Sequence, residues 1–115
     1  MYDSPFEGVL SEANSVTLKY MMRSYEKRYF TDVEPIADLE IENLDGPSCF
    51  YPDRRVIRIH PSVANFPKFC GILILHELIH SKLFQRDHDA DVAEGERFQA
   101  QVGRLWEQGA YAKLL

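Results

Sequence analysis

The chain reads as an α+β domain: a helix, two or three short strands, then two more helices packed on the small sheet. Three observations predict this. Three segments read as helices, the first and third from apolar residues at helical spacing and the second from an apolar run of helix length. Between the first two, Ala37, Leu39 and Ile41 alternate with Asp38, Glu40 and Glu42, the period of a strand with one wet face. Turn-forming residues punctuate the rest. The 115 residues fit one domain, 1–115.

The first helix is expected over residues 11–30. Ser11 supplies an N-cap, and Ala13, Val16, Tyr20 and Met21 share a face. Lys19, Arg23 and Lys27 form a basic stripe on another. Thr31-Asp32 breaks the helix, and Pro35 opens the extended segment. Asn43-Leu-Asp-Gly-Pro47 reads as a turn. Residues 48–51 and 55–60 follow as strands joined tightly through Pro52-Asp53. The second helix is expected from Pro67 to about Gln85, since proline suits a first turn. It is apolar almost all round over 69–75, which predicts a central, buried position. A third helix is expected over about 91–107, with Phe98, Val102, Leu105 and Trp106 inward and Gly109 as its stop.

Composition narrows the function. With 45% hydrophobic and 27% charged residues, the chain is globular, not disordered. No apolar run approaches the roughly 18 residues of a membrane span. The N-terminus lacks the basic and apolar regions of a secretory signal, so a cytoplasmic location is expected. Thirteen Lys and Arg against eighteen Asp and Glu give a net charge of −5, which disfavours non-specific nucleic-acid binding. Cys49 and Cys70 are expected as free thiols, with Cys70 packed as a small hydrophobe.

The chemistry concentrates in His76-Glu77-Leu78-Ile79-His80, an HExxH sequence inside the buried helix. Helical residues four apart differ by about 40° in direction and about 6 Å in rise, so His76 and His80 can hold one metal ion between them. Glu77 is turned by about 100° from His76. It reaches the edge of the site, where a carboxylate can take a proton from a water that zinc has acidified to a pKa of about 7. By chance the pattern arises in roughly one in a few hundred chains of this length.

A catalytic zinc takes three protein ligands and keeps one open position. The third ligand is sought among Asp87, His88, Asp89, Asp91, Glu94 and Glu96. Asp87-x-Asp89-x-Asp91 resembles the start of a calcium loop, but Val92 and Phe98 stand where that loop needs Gly and Glu. Glu94 is favoured, four residues before Phe98 and in the first turn of the third helix. His88 is the next choice. For an oxyanion donor, Tyr51, His60 and Tyr111 qualify by residue type only.

His76-Glu-Leu-Ile-His-Ser-Lys-Leu-Phe84, an acidic loop and Glu94-Gly-Glu-Arg-Phe98 together resemble the SprT-like (Spartan-type) metalloprotease domain. That family carries HExxH and then a His-Gly-x-x-Phe element with the third zinc ligand. Glu94 stands here in the place of that histidine. The resemblance covers about residues 49–111, with the strand at 56–59 preceding the HExxH helix as in the family. The chain also resembles ImmA/IrrE-type metallopeptidases, which pair HExxH with a glutamate four residues before a phenylalanine. Gly95 replaces their usual alanine.

The resemblance implies a minimal zincin-like fold with HExxH on the central helix, and cleavage of proteins, often ones bound to DNA. DNA as a partner rests on the resemblance alone. The basic stripe and Arg54-Arg55 read first as solvated surface. The expected molecule is a zinc metallopeptidase, a hydrolase holding one Zn2+ on His76, His80 and Glu94. Glu77 serves as general base, and the substrate is an extended peptide on a sheet edge. The competing expectation is a metal-binding regulatory or interaction domain without general proteolysis. No membrane partner is expected.

Overall fold

A computed structural model describes the backbone of residues 7–87 and 95–114 and the side chains of 15–86 and 95–114. These residues form α1 (Glu7–Tyr29), β1 (Asp38–Ile41), β2 (Ser48–Tyr51), β3 (Val56–Ile59), a short 3-10 turn (Pro61–Val63), α2 (Pro67–Asp87) and α3 (Glu96–Glu107). The α+β class and element order agree with the sequence. The sheet order is β1-β3-β2, with β3 parallel to β1 and antiparallel to β2.

The register sorts the two faces. Leu39 stands beside Ile57, Ile41 beside Ile59, and Phe50 opposite Ile57. This row faces the core with Leu18, Met22 and Phe30 of α1 and Ile74, Leu75 and Ile79 of α2. Each fully buried aliphatic side chain contributes about 1.5–3 kcal/mol. The other row, Glu40, Arg58 and Cys49, faces outward. There Glu40 pairs with Arg58 (3.2 Å) and Arg54 (3.1 Å), and Arg58 lies over the Tyr51 ring at 5.1 Å. Asp38, next along β1, pairs with Lys19 at 3.0 Å. Ala37 lies just before the strand and is exposed.

Helix α1 departs from expectation. It starts at Glu7, ahead of Ser11. Its core side is Leu18, Met22 and Glu26, while Val16 and Tyr20 point to solvent, Tyr20 74% exposed. The i, i+4, i+8 row won because Glu26, although charged, is satisfied inside. Its Oε2 accepts from Ile36 N (2.6 Å) and its Oε1 from Arg23 Nη1 (2.7 Å). Arg23 also donates to the Ile36 carbonyl at 2.8 Å. Part of the basic stripe therefore anchors the segment leading into β1.

Arg55 closes the β2–β3 turn in the left-handed region (φ 55°), so β3 begins at Val56, not Arg55. Its side chain donates to the Pro35 carbonyl, and its own carbonyl accepts from Ala37 N at 2.7 Å. His60 leaves the strand to cap the 3-10 turn, where Nδ1 accepts from Ser62 N at 3.0 Å.

Helix α2 is buried along most of its length, Phe69 being exposed at its start. It packs against α1, β2, β3 and α3. Near its C-terminal end, Lys82 is 3% exposed and pairs with Asp32 at 3.4 Å. Removing that carboxylate strands a buried ammonium. Asp32→Ala is expected to lower stability by about 1–3 kcal/mol, whereas Lys82→Met should stay within about 1 kcal/mol of wild type. Urea unfolding of both variants checks this.

Helix α3 starts at Glu96, later than expected, because Gly95 is extended (φ −77°, ψ −170°). Phe98 and Leu105 face inward as predicted, but Trp106 is exposed. It lies about 100° round the helix from Leu105 and sits against Tyr111, centroids 5.8 Å apart. Gly109 (φ +81°) ends the helix. Its N–H reaches the Trp106 carbonyl and that of Ala110 reaches Leu105, both at 3.0 Å, as in a Schellman cap.

Candidate metal centre

The HExxH residues lie in the middle of α2, where flanking Leu75, Leu78 and Ile79 are buried. The helix is thus held rigidly by the core on one side while His76 and His80 remain half-buried on another. Their Nε2 atoms converge to 3.2 Å. Two zinc–nitrogen bonds of about 2.05 Å at a tetrahedral angle place their nitrogens about 3.3 Å apart, so the pair has the spacing of two ligands on one ion. The donor atoms of His76, Glu77 and His80 all lie within 4.8 Å of one another, and the three can hold a metal ion.

Phe98 packs against both imidazoles. Its ring centroid stands 4.8 Å from that of His76 and 4.8 Å from that of His80. The two imidazoles are themselves 4.8 Å apart and inclined by 68°. Phe98 is 2% exposed, so α3 is anchored at the site by a residue that touches both potential ligands.

Glu77 points toward the sheet and is 5% exposed. Burying a carboxylate requires hydrogen-bond donors. One comes from β2, where Ser48 Oγ donates to Glu77 Oε2 at 2.6 Å. That length belongs to a charge-assisted hydroxyl–carboxylate bond. Sequence reasoning missed Ser48. The available signal was the strand period, which puts Ser48 on the inward face with Phe50.

Cys49, the next residue, faces outward, and its thiol is raised by burial first and by the Glu77 charge second. It is therefore poorly suited to act as a thiolate nucleophile. Cys49 and Cys70 are both free. Among the oxyanion candidates, Tyr51 is engaged with Arg58 and His60 with its cap. Tyr111 is buried, and burial raises its hydroxyl.

The third-ligand candidates Glu94, His88, Asp89 and Asp91, and the Asp87 side chain, lie outside the described residues. Glu96 is described. It is exposed in the first turn of α3 and does not join the His76–Glu77–His80 group. No helix among the described residues is long and apolar enough to cross a membrane. Comparison of the chain with known protein families, curated proteins and solved structures finds no match.

Proposed function

We propose that the protein is a zinc-dependent peptidase of zincin type, with His76, His80 and Glu94 as ligands and Glu77 as general base. The observation that carries this reading is the pair of imidazole nitrogens 3.2 Å apart on one buried helix, with a buried carboxylate one residue after the first. Donors of this kind suit zinc, which takes histidine nitrogen and carboxylate oxygen together. The resemblance to the SprT-like domain supports the same chemistry.

Zinc held there supplies Lewis acidity toward a peptide carbonyl and acidifies a water molecule. Glu77 accepts the proton of the attacking water and passes it to the departing amine. The Ser48 hydrogen bond holds the carboxylate for that transfer. Phe98 keeps both imidazoles aimed at one point. Strand β2 pairs with β3 on one side only, and no described strand lies on its other edge. An extended peptide hydrogen-bonded along that edge would pass Ser48 and so come beside Glu77.

The test is cleavage of an unfolded protein by the zinc-loaded form, inhibited by a chelator and restored by zinc. Zinc binding without cleavage at any loading would instead indicate a regulatory or interaction domain. For the third ligand, Glu94→Ala is expected to lower zinc affinity at least tenfold, while His88→Ala leaves it near wild type. Competition with a chromogenic chelator measures both. The reverse pattern would assign the ligand to His88.

A further inference from the structure

We infer that Ser48 is a positioning residue that keeps the Glu77 carboxylate beside the metal instead of on it, an assignment that rests on the metal-binding reading of His76 and His80. The carboxylate is close enough to become a ligand, because its donor atom lies within 4.8 Å of both imidazole nitrogens. Donors on one tetrahedral ion stand about 3.3 Å apart. A shift of the Glu77 carboxylate by about 1.5 Å toward the imidazoles would therefore bring it to ligand spacing. A glutamate bound to the metal is a weaker base, because the cation draws on the carboxylate charge that would accept the proton.

Three features make Ser48 able to prevent this. Its hydroxyl donates to Glu77 Oε2 at 2.6 Å, a charge-assisted bond that fixes one oxygen and limits rotation of the carboxylate. Its backbone is set by the sheet, since Ser48 pairs with Ile59, and Pro47 before it accepts from His60 N at 2.9 Å. The bond also crosses between elements, from β2 to α2, 29 residues apart. It therefore pulls the carboxylate toward the strand, where the helix alone would not hold it.

Cobalt(II) is the probe, because its visible absorption reports the number and kind of ligands and needs no substrate. Wild type, Ser48→Ala, Ser48→Thr and the double variant Ser48→Ala/Glu77→Gln are titrated with cobalt, after circular dichroism confirms folding. Ser48→Ala is expected to change the visible bands and to bind cobalt about tenfold more tightly, as Glu77 joins the shell. Ser48→Thr keeps the hydroxyl in a strand-compatible side chain and should match wild type. The double variant should lose both the spectral change and the added affinity. Where peptide cleavage is measurable, Ser48→Ala should lower kcat by about 10–100-fold at unchanged KM.

Unchanged spectra and affinity in Ser48→Ala would overturn the assignment. So would a spectral change that survives Glu77→Gln, since it would not act through the carboxylate. A wild-type protein that takes no cobalt would overturn the metal reading and this role with it. A protein that binds cobalt without cleaving peptides would overturn only the peptidase reading, and the cobalt titrations would still decide the role of Ser48.

Discussion

Glu77→Gln is expected to keep its metal at near wild-type affinity and to lose about 10²–10⁴-fold in turnover, the range for removing a general base. The substitution is nearly isosteric. The glutamine carbonyl can still accept the Ser48 hydroxyl, so the 2.6 Å link between β2 and α2 can persist. What disappears is the ability to accept a proton at neutral pH. His76 and His80 are untouched, because Glu77 faces the sheet and the two imidazoles converge on each other. Metal analysis and initial rates on the same preparation check the two halves of this expectation. A variant that cleaves as fast as wild type would remove Glu77 from the mechanism.

Phe98→Ala is expected to have the largest effect on the fold. Truncating a fully buried phenylalanine destabilises by about 3–5 kcal/mol. That is a large share of the 5–15 kcal/mol that holds a typical domain together. Phe98 also contacts both imidazoles, with centroids at 4.8 Å, and it joins α3 to α2 beside the motif. Its loss should free both rings and lower zinc affinity by about 10–100-fold, the effect of removing an outer-shell support. Phe98→Leu fills most of the space and should recover most of the stability. Thermal unfolding with and without zinc separates the two effects. If Phe98→Ala leaves metal affinity unchanged, the imidazoles are oriented by the helix alone.

The motif helix was legible in the sequence because two strong signals coincide there. The apolar run at 69–75 specifies burial, and the histidines four apart specify a shared face. Strand β1 was legible through its alternation, and the end of α3 through Gly109. The buried face of α1 was not, because Val16 and Tyr20 look apolar and Glu26 looks exposed. Inside the protein, Glu26 is satisfied by Ile36 N and Arg23. Those partners become neighbours only after the chain folds back. Trp106 was misread for a related reason: hydrophobicity alone does not separate adjacent helix positions about 100° apart. Ser48 reaches Glu77 across 29 residues of sequence, and no local pattern encodes that contact.

His76 and His80 are placed to hold one metal ion between them. Elemental analysis of the purified protein, with His76→Ala and His80→Ala prepared alongside, decides whether they do. One zinc per chain is expected in wild type, retained after dialysis, and none in either variant. Wild-type protein without metal, and with the same melting temperature whether or not zinc is added, would contradict it.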